Sequence, residues 1–208
     1  MKNIVVLVSG GGTNLQARID AQNRGEIKNG RITCVISSNP NAYALERAKN
    51  NGIETEVIRR KDFGTFDEYD LSLTELLQSK NADVVVLAGF MTILGTKVIN
   101  AFENRIINIH PALIPSFCGE GYYGLRVHEE VLKKGVKVTG ATAHFVNEIC
   151  DGGPIIIQKA VYTKPGDTPE VLQRRVMEEA EWKILPKAVS LFCEDKIKVI
   201  GNITEISE

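Results

Sequence analysis

Along the first half of the chain, short apolar runs alternate with longer mixed stretches. Ile4–Val8 is apolar throughout and stops at Ser9-Gly10. Arg31–Ser37, Glu54–Ile58, Asp83–Ala88 and Arg105–Ile109 are further runs enriched in Val and Ile, bounded by Gly, Asn and polar residues. Runs of this length and composition predict strands. The stretches between them predict helices: one from about Asn14, one through Asn50 that stops at Asn51-Gly52, and one over Phe66–Ser79. Strands without polar alternation, separated by helices, predict a parallel sheet covered on both faces.

Beyond residue 138 the pattern changes. Thr139–Val146 and Pro154–Tyr162 are strand-like and joined by a short loop over 147–153, which predicts an antiparallel hairpin added to the sheet. Asp167-Thr168-Pro169-Glu170 places a capping residue before a proline at the first helical position. Leu172, Val176, Ala180 and Ile184 then recur every four residues and mark that helix's buried face. Gly124–Lys134 reads as a surface helix with His128 solvated, and Lys196–Ile200 as the last strand. No repeat, low-complexity tract or linker interrupts the pattern. The expected fold is α/β: a single domain over 1–208 with a Rossmann-like, mostly parallel sheet, helices on both faces and a C-terminal antiparallel hairpin.

Composition narrows the class. The 208 residues are 43% hydrophobic and 25% charged, with a formal net charge of −1, so bulk attraction to nucleic acid or anionic lipid is not expected. Ile4–Val8 is too short for a signal peptide, and no segment approaches the ~18 apolar residues of a membrane span. A cytoplasmic protein is expected. Cys34, Cys118, Cys150 and Cys193 never form a C-x-x-C pair and read as reduced thiols, so no metal site is expected.

Three constellations carry candidate chemistry. Ser9-Gly10-Gly11-Gly12-Thr13-Asn14 lies between the first strand and the first helix. Glycines let backbone approach a ligand, and amides at a helix start hold an anion. Leu15 replaces the third glycine of a dinucleotide fingerprint, and no Lys follows the glycines as in a Walker loop. The anion expected is therefore the phosphate of a small substrate. Next, Asn108 and His110 alternate onto one side of a strand at its carboxyl end, where open α/β sheets bind ligands. An Asn amide can stabilise an oxyanion, and a His can move a proton near neutral pH. Finally, Asp151 precedes Gly152-Gly153-Pro154 in the hairpin loop. A carboxylate beside an imidazole raises its pKa and orients it. His144, inside a strand, reads as a satisfied core histidine.

Taken together, the strings 9–16, Val84–Met91, Asn108–Pro115 and Asp151–Pro154 resemble the phosphoribosylglycinamide formyltransferase family, in family order over residues 2 to 186. The resemblance implies formyl transfer from 10-formyltetrahydrofolate, as co-substrate, to the amine of 5-phosphoribosylglycinamide, the third step of purine synthesis. It implies a phosphate-binding half over about 1–100 and a catalytic and folate half over about 101–208. Gly11, Gly12, Thr13 and Asn14 would hold the phosphate, and Glu181 the ribose or glycinamide end. Met91, Thr92, Ile93 and Leu94, with Asn108, Asn147, Glu148, Ile149, Cys150 and Asp151, would surround the folate. Asn108 and His110 would be the catalytic pair, and Asp151 the partner that raises the His110 pKa. The expected partners are these small molecules, with no nucleic acid or membrane; the assembly is left open between monomer and homodimer.

The chain departs from the family pattern in places. Ser116–Gly124 is several residues longer than the usual segment; with three glycines and Phe117, Tyr122 and Tyr123 it reads as a flap that orders on folate binding. Thr92 stands where many relatives carry an arginine, and Phe66 about where another arginine touches ligand, with Arg59 and Arg60 as possible replacements. One extra residue precedes Glu181, which makes Glu178 and Glu179 alternatives. Competing readings are another formyltetrahydrofolate enzyme and a non-catalytic nucleotide-binding module. Methionyl-tRNA formyltransferases add a C-terminal RNA-binding domain and deformylases an N-terminal regulatory domain. With a first strand starting at residue 3 and no basic patch, neither addition is expected here.

Overall fold

A computed structural model of the protein describes residues 1–207. Its main sheet is built from β1 (Lys2–Val8), β2 (Gly30–Ser37), β3 (Glu54–Val57), β4 (Val84–Leu87), β5 (Ile106–His110), β6 (Val138–Phe145) and β7 (Ile155–Tyr162). They lie in the order β3-β2-β1-β4-β5-β6-β7. β1 to β5 are parallel, β6 runs antiparallel to β5, and β7 antiparallel to β6. The connections leave β1 toward β2 on one side and return to β4 on the other. That reversal opens a crevice at the carboxyl ends of β1 and β4.

The apolar run of β1 is uninterrupted because both of its faces are covered. Ile4, Val6 and Val8 point to a core shared with Leu15 and Ile19 of α1 (Thr13–Asn23), Leu45 of α2 (Tyr43–Asn50), Leu172 of α6 (Pro169–Val176) and Leu185 of α7 (Trp182–Cys193). Val5 and Leu7 point to a second core with Tyr69, Leu73 and Leu77 of α3 (Phe66–Ser79) and Val98 of α4 (Thr96–Ala101). Each fully buried side chain of this kind contributes roughly 1.5–3 kcal/mol. Helix α3 begins at a capping box, in which Thr65 accepts from the Glu68 amide and Glu68 accepts from the Thr65 amide.

Three features differ from the sequence expectations. α4 was not expected; its six residues are too few to show a helical period. β8 (Ile197–Ile200) does not stand alone, because Gly201-Asn202 turns the chain back into β9 (Ile203–Ile206) as a separate antiparallel pair. His128 is not solvated. On α5 (Leu125–Lys133) it lies with Val127 and Val131 on the inward face, fully buried, and neither ring nitrogen has a partner among the described residues. Its charged neighbours Arg126, Glu129 and Glu130 mask that face in the sequence. Burial lowers the His128 pKa to about 4. Among the described residues no helix is long and apolar enough to cross a membrane.

Candidate active site

Ser9-Gly10-Gly11-Gly12 carries the chain from β1 into α1. Gly12 is the N-cap residue with φ 71°, and no side chain caps the helix. A Cβ at Gly12 would meet Ala44 Cβ at 2.7 Å and Ala44 Cα at 2.9 Å, so α2 packs against bare backbone here. Arg47 of α2 braces the loop, donating from Nε to the Gly11 carbonyl at 2.9 Å and from Nη1 to Gln16 Oε1 at 3.1 Å. The uncapped amides at the start of α1 face the crevice beside Thr13 and Asn14, and the dipole of α1 favours negative charge there.

At the same end of the sheet, two strands away, β5 ends in Asn108-Ile109-His110. Pairing with β6 places His144 opposite Asn108. The loop between β6 and β7 then returns Asp151 to both rings: Oδ2 lies 3.4 Å from His110 Nδ1, and Oδ1 lies 3.6 Å from His144 Nε2. That return needs Gly153, because a Cβ there would sit 2.0 Å from the Phe145 carbonyl oxygen. A carbonyl can only accept, so His110 Nε2–H donates to Phe117 O at 2.8 Å, and His144 Nδ1–H to Phe145 O at 2.8 Å. In its neutral form His144 therefore offers Nε2 as acceptor to Asn108 Nδ2, 3.2 Å away. That bond fixes the Asn108 amide and leaves one Nδ2 hydrogen for a ligand. Sequence reasoning placed His144 in the core but did not bring it to Asp151.

Burial works to raise the Asp151 pKa, but His144 whenever its Nε2 carries a proton, the charge on His110 and the Gly119 amide (2.9 Å from Oδ2) together hold it below the ordinary carboxylate value. His110 departs from expectation. Burial lowers its pKa below the ordinary value; Asp151 and the Phe117 carbonyl act in the raising sense but do not outweigh burial. The ring is 3% exposed, and so little water reaches it that desolvation dominates.

Glu181 stands at the end of the π-helical turn that follows α6. It is buried, and Asn14 Nδ2 donates to its Oε2 at 2.7 Å, so the phosphate-loop helix and the C-terminal helices meet at this bond. Glu178 and Glu179 are exposed, so Glu181 alone of the three carboxylates is buried. A π-helical turn over Met177–Glu181 joins α6 to α7. Burial raises the Glu181 pKa to about 7, opposed by the Asn14 hydrogen bond.

The two segments implied to hold folate follow β4 and β6, the strands on either side of β5. Met91 and Ile93 are exposed, Thr92 is half-buried and Leu94 is buried. Asn147 is half-buried, its Oδ1 accepting the Ile149 amide at 3.0 Å, while Glu148, Ile149 and Cys150 are exposed. Of the two arginines near Phe66, Arg60 stacks on its ring at 5.8 Å, whereas Arg59 is paired with Asp62 at 2.6 Å. Sequence reasoning missed the Phe117 carbonyl, Arg47 and the Ser9 hydroxyl; only the position of Ser9, next to the glycines, could have signalled one of them.

Comparison with known proteins identifies the family. Residues 2–189 match the family described as Formyl transferase. The chain is 41% identical over 203 residues to the phosphoribosylglycinamide formyltransferase of Haemophilus influenzae, covering 98% of this chain and 92% of that protein. It is 39% identical over 200 residues to the Escherichia coli enzyme of the same name, covering 96% and 91%. The crystal structure of glycinamide ribonucleotide transformylase 1 from Symbiobacterium toebii superimposes with a TM-score of 0.94 at 42% identity, over 100% of this chain and 95% of that one. An uncapped glycine-loop helix and an Asn–His–Asp group at one sheet edge thus coincide with full-length similarity, and the chain belongs to the formyl transferase family.

Proposed function

We propose that the protein transfers the formyl group of 10-formyltetrahydrofolate to the amine of 5-phosphoribosylglycinamide, the third step of purine synthesis. The observation that carries this reading is the Asn108–His110–Asp151 group, two strands from an uncapped helix start at the same sheet edge. Amides of Gly11, Gly12, Thr13 and Asn14 bind the phosphate, and Glu181 the ribose or glycinamide end. The pterin lies between Met91–Leu94 and Asn147–Asp151, and Arg60 stands in for the arginine absent at position 66.

The amine attacks the formyl carbon, and the carbonyl oxygen becomes a tetrahedral oxyanion. The free Nδ2 hydrogen of Asn108 donates to it, and a donor of this kind contributes roughly 3 kcal/mol. With its pKa held low by burial, His110 is neutral near pH 7. Substrate binding frees Nε2 from the Phe117 carbonyl while Nδ1–H donates to Asp151, and the open Nε2 takes up the proton that the amine loses. The imidazolium, held by Asp151 on Nδ1, then passes that Nε2 proton to the tetrahydrofolate nitrogen as the C–N bond breaks. The lowered His110 pKa thus fits a base that becomes an acid within one cycle.

Purified protein assayed with both substrates should form the formylated glycinamide and tetrahydrofolate in equal amounts. Release of formate without transfer would instead mark deformylase chemistry. Asp151→Asn should lower kcat by about 100-fold or more. Because Asp151 raises the His110 pKa, its removal should also move the acidic limb of the pH–rate profile to lower pH. Full activity with an unchanged profile would overturn the assignment.

A further inference from the structure

The segment Met91–Leu94 is held at both ends, and one of its anchors belongs to the other substrate's site. At the far end, Asp70 of α3, 2% exposed, accepts the Gly95 amide at 2.9 Å and the Lys97 amide at 2.8 Å. At the near end, Ser9 Oγ accepts the Met91 amide at 2.9 Å. Ser9 Oγ also lies 2.7 Å from Ser38 Oγ, at the end of β2. One hydroxyl therefore joins the carboxyl ends of β1, β2 and β4, where the sheet order reverses. A hydroxyl has one proton and two lone pairs, enough to hold both neighbours at once. Between its anchors the segment is open, with Met91 58% and Ile93 79% exposed.

The two anchors differ in what they sense. Asp70 is packed between α3 and α4 and makes no contact with the phosphate loop through these bonds. Ser9 is the residue before Gly10, so its position follows that of the loop. The loop's carbonyls are tied to α2, Gly10 O accepting the Ala44 amide at 3.1 Å and Gly11 O accepting Arg47 Nε at 2.9 Å. The Gly10, Gly11 and Gly12 amides have no partner among the described residues, so a bound phosphate fixes the loop on its ligand side.

We infer that Ser9 is a positioning residue that couples the two substrate sites: phosphate held by the loop fixes Ser9, and Ser9 fixes the end of the segment that faces the pterin. The inference rests on the ligand assignment proposed above. Coupling of this kind is reciprocal, so each ligand tightens the other by the same factor.

The test measures the dissociation constant of tetrahydrofolate with and without saturating phosphoribosylglycinamide. The intact protein should bind it about five-fold more tightly with the second ligand present, a factor at the lower end of measured couplings. In Ser9→Ala each ligand should still bind, but the tightening should vanish. Equal tightening in both proteins, or none in the intact protein, overturns the coupling and leaves the ligand assignment standing. No tetrahydrofolate binding to the intact protein overturns the ligand assignment and the coupling with it. A second measurement needs no variant: phosphoribosylglycinamide alone should slow hydrogen exchange at the Met91 amide about five-fold and leave Gly95, held by Asp70, unchanged. An unaltered Met91 amide overturns the inference.

Discussion

Glu181 combines burial with one hydrogen bond, and its titration should be visible in the stability of the whole protein. Burial moves its pKa from 4.5 to about 7. Between those values the folded chain binds more protons than the unfolded one, so stability is highest below pH 4.5 with respect to this group and falls as pH rises toward 7. The full loss is about 3 kcal/mol. Glu181→Gln keeps the shape, removes the titration and should flatten that decline. In urea unfolding at pH 5 and pH 8, the variant should lose less stability between the two than the parent. Parallel losses would show that Glu181 does not titrate in this range. The variant should also raise KM for the phosphoribosyl substrate. Arg18 presents a different case: it is fully buried, none of its guanidinium nitrogens has a partner among the described residues, and burial pulls its pKa to about 9. Nothing in the structure explains why an arginine stands there.

Helices and loops show where the sequence was readable. The limits of α3 coincide with the Phe66–Ser79 stretch expected between strands, and Thr65 and Glu68 fix its start through a capping box that the sequence reading did not use. The π turn was hidden in plain view. Leu172, Val176, Ala180 and Ile184 step by four residues, about 400° on a regular helix, which would carry the stripe off the core. A wider turn at Met177–Glu181 takes up the surplus, keeps all four buried and turns Glu181 inward. The glycine loop and the Asn-x-His pair were legible because both are short local motifs on strand ends. The Arg60–Phe66 stack, the burial of His128 and the Phe117–His110 bond were not, since each depends on segments that meet only in the folded chain. The glycine loop also yields a sharp expectation. Gly12→Val meets Ala44 at under 3 Å and sits at φ 71°, where a β-branched residue is strained. It should raise KM for the phosphorylated substrate by about ten-fold or more, by analogy with the loss of one or two charge-assisted hydrogen bonds. KM for the folate should change much less. Equal effects on both, at unchanged stability, would count against phosphate binding at this loop.

The molecule assembles its candidate site from distant parts of the chain, and the long Ser116–Gly124 segment bonds to two of its residues. Phe117 and Gly119 bond to His110 and Asp151, and the rings of Phe117 and Tyr122 meet edge-on at 6.3 Å, while Tyr123 is exposed. The segment is anchored as far as Tyr122, whose amide donates to Gly119 O at 3.1 Å, while Tyr123 and Gly124 are exposed. Hydrogen exchange should therefore find Gly119 and Tyr122 protected in the free protein and the Tyr123-Gly124 tip fast, with the tip slowing when tetrahydrofolate binds. A tip already protected without ligand would show a fixed loop instead of a flap. Assembly from distant parts also bears on how the protein is made. Asn14 waits for Glu181, 167 residues later, to complete their bond. At ~5–20 residues per second of synthesis, that interval is on the order of 10–30 s. The glycine loop leaves the ribosome early, but the His110–Asp151 pair and the Asn14–Glu181 bond form only after residues 151 and 181 have emerged, so the proposed site stays unassembled through that interval.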